Sequence, residues 1–233
     1  MDRNSTPSRR ERPAKPALTR AGIVATAVDV MRAEGVERVT MRRLAKELDT
    51  GPASLYVYVK DTEELHAAML DELLAEVEVD LGDGGTGEWR DRLWAVLGSY
   101  RSVLFAQPSL ARVALVTRLS GPHYLAVVEA VLALLDEGGM PPGQAAWAVD
   151  VLLLIATATA VETGGRQEKP GAEREHDVLV ESLAGLSAET HPYIAALGPD
   201  LVSGPGPSRV RWAFDVLLNG ALSTARPPTE EQR

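Results

Sequence analysis

Val39-Thr40-Met41-Arg42-Arg43-Leu44-Ala45-Lys46-Glu47-Leu48-Asp49-Thr50-Gly51-Pro52-Ala53-Ser54-Leu55-Tyr56-Val57-Tyr58-Val59-Lys60 is the stretch on which the reading of this chain turns. Leu44, Ala45 and Leu48 recur at helical spacing and give a first helix a small apolar face. Leu55 and Val59 give a second segment, from Pro52 to about Tyr58, a face of its own. The break at Asp49-Thr50-Gly51 is a turn signal, so the two segments pack across a tight corner. Met41, Arg42, Pro52, Ala53, Ser54, Tyr56 and Tyr58 are then left facing outward. For Met41 an inward packing stays open, because an unbranched thioether readily fills gaps in a core. A helix-turn-helix places its second helix, N-terminus first, in a DNA major groove about 12 Å wide, where base edges differ in hydrogen-bond pattern. Small residues such as Ala53 and Ser54 at that tip let the backbone approach closely, and hydroxyl, Arg and Lys groups around it hold phosphates. A plain αα-corner that binds nothing is the competing reading, and the outward residues fit it less well.

Helical spacing dominates on either side of this stretch. Thr19 caps a first helix whose apolar face is Ile23, Ala27, Val30 and Met31, and Gly35 stands where its end requires positive φ. Asp61 with Glu64 three residues on predicts a capping box opening a helix through about Val79. Gly82-Asp83-Gly84-Gly85-Thr86-Gly87 reads as a flexible connector. Helices are predicted at about 88–105, 108–118, 121–137 and 141–163, a mobile polar loop at 164–176, and further helices near 177–187, 190–197 and 208–223. The expected architecture is all-α: a basic arm at 1–17, a helix-turn-helix head at 18–64, a larger helical domain at 65–226 and a tail at 227–233.

Overall composition first points away from nucleic acid. The chain of 233 residues carries a formal charge of −9. The distribution reverses that inference, because residues 1–60 hold 12 Lys+Arg against 7 Asp+Glu and the acidic excess lies entirely beyond them. One end is built to face a polyanion. An apolar fraction of 45% with 24% charged residues excludes a disordered or collagen-like chain. The absence of Cys removes disulfides and thiolate chemistry and suits a reducing cytoplasm. The longest unbroken apolar-or-Thr run, Val151–Val161, spans 11 residues against the roughly 20 that cross a bilayer, so no membrane partner is expected. Arg9-Arg10 lacks the apolar region that a twin-arginine signal needs.

From about Leu18 to Leu74 the sequence resembles the TetR family of bacterial transcriptional regulators. The resemblance rests on Ala33-Glu34-Gly35-Val36, Val39-Thr40-Met41-Arg42-Arg43-Leu44-Ala45, and Ser54-Leu55-Tyr56-Val57-Tyr58-Val59-Lys60 with Glu64-Leu65. Gly-Pro-Ala-Ser-Leu-Tyr is similar to the variant of actinobacterial members. The resemblance implies a homodimer on a double-stranded DNA operator, acting as a repressor released by a small-molecule effector, with no cofactor or metal. It places Met41, Arg42, Pro52, Ala53 and Ser54 at bases and Thr40, Tyr56, Tyr58 and Lys60 at phosphates. Three positions depart from the family pattern. Asp49 replaces the usual turn Gly, Thr50 a small apolar residue, and Thr62 a phosphate-binding Lys.

The larger domain resembles the family's ligand-binding and dimerisation domain by helix count and loop placement. Candidate pocket residues are the amphipathic ones on apolar helices: Trp94, Tyr100, Gln107, Arg118, His123, Tyr124, Trp147, Thr157 and Glu162. Residues 92–128 contain no acid but four Arg, at 92, 101, 112 and 118, which favours an anionic ligand if they face the pocket and means nothing if they are simply solvated. Two helices are apolar around most of their circumference and require burial on several sides. The resemblance makes these two helices the dimer interface, with Leu152, Leu153, Ala156 and Val161 on one and Val210, Trp212, Ala213, Val216 and Leu217 on the other as the expected face. The alternative is that both are core helices of a monomer.

Catalytic patterns are weak. Gly82–Gly87 satisfies G-x-G-x-x-G, but a dinucleotide site wants an acidic residue about 20 positions later, and residues 92–128 hold none. His66, His123, His176 and His191 lack metal-ligand spacing. The readings that stay open beside a ligand-controlled regulator are a DNA-binding protein without an effector and an enzyme with a site assembled from distant residues.

Overall fold

The computed structural model describes residues 17–79 and 88–227. The basic arm up to residue 16, the Gly82–Gly87 connector and the tail beyond Pro227 lie outside the described residues. The chain forms two compact units that meet in the sequence between Leu65 and His66.

The first unit starts with α1 (Arg20–Glu34), capped where Thr19 Oγ1 accepts the Gly22 N–H at 3.0 Å. Such a cap contributes about 1 kcal/mol. Ile23, Val24, Ala27, Val28, Val30 and Met31 are buried, and the helix stops at Gly35, whose φ of +91° favours glycine. A short 3-10 turn (Val36–Arg38) leads to α2 (Met41–Glu47), α3 (Pro52–Leu55) and the opening turn of α4 (Thr62–Leu74). Val39, Leu44, Ala45, Leu55, Val59 and Leu65 complete its core.

The second unit is organised around α9 (Pro142–Glu168). This helix packs against α5 (Trp89–Phe105), α6 (Pro108–Ala111), α7 (Val113–Val116), α8 (Pro122–Glu137) and α12 (Gly206–Ser223). Small residues on its buried faces, Ala145, Ala148, Ala156, Ala160 and Gly164, admit several neighbours at close range. α10 (Ala172–Ala184) and α11 (Pro192–Leu201) pair with each other, and neither buries a residue. By length and composition α9 is apolar enough to cross a membrane, a property the unbroken-run count missed; 44% of its most apolar window is buried among its neighbours.

Three expectations need correction. The segment 164–176 is largely helix, with only a short break between Glu168 and Ala172. Gly164 lets α9 pass close to the end of α5 and the start of α6, because a Cβ there would stand 3.0 Å from Pro108 and 3.1 Å from the Phe105 carbonyl, and the Glu162–Arg166 pair at 2.8 Å supports the last turns. α4 ends at Leu74 rather than near Val79: Val77 turns into the core and the Glu78 N–H is taken by Ser99 Oγ at 2.9 Å. The helix expected over 108–118 is two single turns, α6 and α7, parted at Arg112, where the Leu115 N–H returns to the Arg112 carbonyl three residues back.

Candidate nucleic-acid interface and inner polar cluster

Local chemistry fixes the geometry of the first unit's outer surface. Thr40 caps α2 by accepting the Arg43 N–H at 3.1 Å, and its exposed hydroxyl still has a proton to donate to an outside acceptor. α2 ends in a Schellman arrangement: the Thr50 N–H reaches the Ala45 carbonyl at 2.8 Å and the Asp49 N–H the Lys46 carbonyl at 3.2 Å. Asp49 occupies the left-handed position with φ +47°, the region where Asp substitutes for Gly at lowest cost. Pro52 starts α3 directly after this turn, its fixed φ suited to a first helical position.

Leu55 and Val59 are fully buried, which turns the residues between and before them outward. Arg42, Pro52, Ala53, Ser54, Lys60 and Thr40 are exposed, as are Tyr56 and Tyr58. Met41 is not. It keeps 7% of its surface and is buried with Leu44 and Ala45 on the inner side of α2. Sequence reasoning also missed Val57, which is 80% exposed between the two tyrosines. A lone Val in an apolar-rich stretch carries no signal of exposure.

Ion pairs lock this surface in place. Arg43 binds Glu34 of α1 and Glu47 of α2, both at 2.6 Å, and its hydrogen bond holds the Glu34 carboxyl below the usual carboxylate range. At the entry to α4, the Glu64 N–H donates to Asp61 Oδ1 and the Lys60 N–H to Glu64 Oε2, each at 2.8 Å. That backbone bond, then Arg20 at 3.2 Å, lowers the Glu64 carboxyl in turn. The expected capping box is therefore present, shifted by one residue on its return bond.

In the second unit the expected pocket residues separate into groups. Tyr100 and Thr157 are buried with their oxygens 2.9 Å apart. Thr157 gives its proton to the Leu153 carbonyl at 2.8 Å, so Tyr100 is the donor between them. Burial pushes the Tyr100 phenol up to about 12, with Tyr124 adding to the rise and Thr157 opposing it. Tyr124 is raised by its own burial and then by Asp150. Tyr100 and Thr157 thus form a buried polar pair, and half-buried Tyr124 acts electrostatically on Tyr100.

The rest lie elsewhere. Trp94 meets Phe214 of α12 in a tilted ring contact at 5.0 Å beneath Arg211, and Trp147 is exposed beneath Arg226. Glu162 is on the surface paired with Arg166, Arg118 is exposed, Gln107 precedes α6, and half-buried His123 is the second residue of α8. Of the four arginines, Arg92 is spent on Glu137 and Arg118 is exposed. Among the described residues no group of three potential metal ligands occurs.

The expected dimer face is also redrawn. Leu152, Leu153 and Ala156 are buried inside the chain's own core and unavailable to a partner. Val161, Val210, Ala213 and Leu217 are half-buried, while Trp212 and Val216 are exposed. The outward stripe of α9 is Trp147, Val151 and Leu154. Between it and α12 runs an apolar groove of about 460 Å³ lined by Trp147, Val151, Val216 and Ala221. A helix apolar all round gave no clue to which side its own chain covers.

A capped helix, a tight turn and a short helix with outward small and hydroxyl residues, on a unit continuous with a larger helical one, define a DNA-binding transcriptional regulator. Residues 23–69 match the bacterial regulatory proteins of the tetR family, and residues 81–204 match the tetracyclin repressor-like C-terminal domain. The chain belongs to the TetR family of ligand-responsive DNA-binding regulators. It is 31% identical to an HTH-type transcriptional regulator of Saccharopolyspora erythraea, over 79% of this chain and 77% of that one. A transcription regulator of known structure from Streptomyces is 54% identical, covering 92% of this chain and all of that one with a TM-score of 0.77. The Streptomyces coelicolor protein ActR, solved in complex with actinorhodin, is 33% identical over 89% of this chain and 97% of that one, also with a TM-score of 0.77.

Proposed function

We propose that this regulator binds a palindromic operator as a homodimer and represses until a small molecule enters the second unit. The observation that carries the reading is the outward surface from Gly51 to Tyr58, held by buried Leu55 and Val59. Arg42, Pro52, Ala53 and Ser54 then face base edges, and Thr40, Tyr56, Tyr58 and Lys60 face phosphates. Residues 18–64 serve as the DNA-binding domain and residues 65–226 as the effector and dimerisation domain. The chain acts in the cytoplasm and catalyses no reaction.

Dimerisation is supported by the apolar surface that one chain leaves open. Trp147, Val151 and Leu154 of α9, Trp212 and Val216 of α12, and the unburied α10–α11 pair are better covered than hydrated. An effector site near Tyr100, Tyr124 and Thr157 is supported by the buried Tyr100–Thr157 pair, by half-buried Tyr124 acting on it, and by the small-molecule complex of ActR. Because α4 carries residues of both units, its tilt is the natural transmitter of that binding to the DNA-reading surface. Selection of bound duplexes from a random pool tests the reading. Two inverted half-sites are expected; a single half-site contradicts the dimer, and no enrichment contradicts DNA recognition.

A further inference from the structure

The buried stripe of α4 holds a carboxylate among leucines. Asp71 sits between Met69, Leu70, Leu73 and Leu74, all buried, and keeps 8% of its own surface. A carboxylate taken from water is costly unless donors meet its oxygens. Here the donors are backbone: the Tyr124 N–H reaches Oδ1 at 2.9 Å and the His123 N–H reaches Oδ2 at 3.5 Å. These are first-turn amides of α8, which no helix can satisfy internally.

The local sequence of α8 is shaped to leave that role to Asp71. Its N-cap is Gly121, which has no side chain to accept a bond, and its first residue is Pro122, which has no N–H to donate. Nor is Gly121 replaceable where it stands, since a Cβ would fall 2.1 Å from the Asp71 carboxyl carbon. α8 therefore borrows its cap from α4, 53 positions earlier in the chain. The negative charge lies at the positive end of a 16-residue helix, where the dipole favours it. Tyr124 extends the tie inward, because its phenol acts electrostatically on Tyr100, the partner of Thr157.

We propose that Asp71 is a positioning residue for regulation: its bond to the start of α8 makes the placement of α4 and the order of α8's first turn depend on each other. A molecule that shifts Tyr124 loosens the cap and frees α4, and DNA that holds the head through α4 tightens it. This rests on the reading of the chain as an effector-controlled DNA binder. Linkage is reciprocal, so DNA alone reports the coupling and no effector is required.

The test is amide hydrogen exchange on the full chain, with and without a duplex selected from a random pool. In the wild type, DNA is expected to slow exchange at Tyr124 by roughly 5-fold or more, the lower end of ordinary coupling between sites. Asp71→Ala combined with Gly121→Ser gives α8 a cap of its own, in the space the carboxylate vacates. That variant is expected to fold, to bind DNA with protection over residues 41–58, and to show no response at Tyr124. Asp71→Asn, which keeps the shape and removes the charge, is expected to respond by less than the wild type. The proposal is overturned if wild-type Tyr124 ignores DNA, or if the double variant responds as the wild type does. A selected duplex that leaves residues 41–58 unprotected overturns the DNA-binding reading instead.

Discussion

The two units reach stability by opposite means. The first is held by short-range devices: the Thr19 and Thr40 caps, the Schellman turn at Asp49, and the Arg43 clamp on Glu34 and Glu47. The second depends on helices such as α5 and α9, whose contacts join residues far apart in sequence, as the Tyr100–Thr157 bond does. A surface that must present the same atoms to every DNA site gains from rigidity specified locally. A domain that must change when a small molecule arrives gains from packing of small residues and a buried hydroxyl pair with few partners. Changes in the body should therefore register mainly in stability and assembly, and changes on the head's outer face mainly in DNA binding.

The largest effect separates the two sides of α9. Leu152→Ala removes a buried side chain from the core side of α9 and should cost on the order of 3 kcal/mol of folding stability, read as a lower denaturation midpoint. Leu154→Ala, two residues on and half-exposed, should leave the monomer's folding within about 0.5 kcal/mol of wild type while weakening the dimer in sedimentation experiments. Equal loss of folding stability in the two variants would erase the distinction between core and partner face.

On the head the expected pattern inverts. Ala53→Asp puts a carboxylate at the exposed tip of α3, against phosphates and base edges. DNA affinity should fall by about 2 kcal/mol, roughly 30-fold, with the thermal midpoint unchanged. Val57→Ala should cost less and only on operators with a thymine methyl in reach, which affinity measurements on selected duplexes resolve.

How much was legible in the sequence follows the same division. Thr19, Gly35, the Asp49 turn and the Asp61–Glu64 pair each act within a few residues, so their spacing reveals them. Met41 stayed open between an outward and an inward direction because side-chain direction just inside a cap is decided by the neighbouring helix. Leu152 and Leu153 were assigned to a partner because a helix apolar on every side does not say which neighbour is its own chain. The Asp71 cap was invisible for a related reason: one acid in a leucine-rich helix has no meaning until Gly121 is placed against it.

The inner cluster offers a pH test of the body alone. The Tyr100 phenol is raised to about 12 by burial, above the ordinary value near 10. The unfolded chain thus loses this proton first, and between pH 10 and 12 the native state binds more protons than the unfolded one. Stability from this group is complete below pH 10 and declines by about 2 kcal/mol as pH rises to 12. Tyr100→Phe should flatten that part of the profile in denaturant titrations. An unchanged slope would mean that the phenol is not desolvated.

The smallest expected effect is Asp49→Gly. With φ at +47°, Asp49 is strained in a way glycine is not, although glycine also loosens the unfolded chain. The two terms leave a net gain of about 0.5 kcal/mol, a rise in denaturation midpoint at the edge of detection. The same change removes a negative charge one residue from Thr50 at the turn before the recognition helix, so DNA affinity should rise modestly and more at low salt than at high. Asp49→Asn separates the causes, because asparagine tolerates the left-handed region but carries no charge. If Asn raises affinity as much as Gly, electrostatics governs this position. If only Gly does, the turn's backbone strain reaches the DNA-reading surface, and the head is less rigid than its caps and clamps imply.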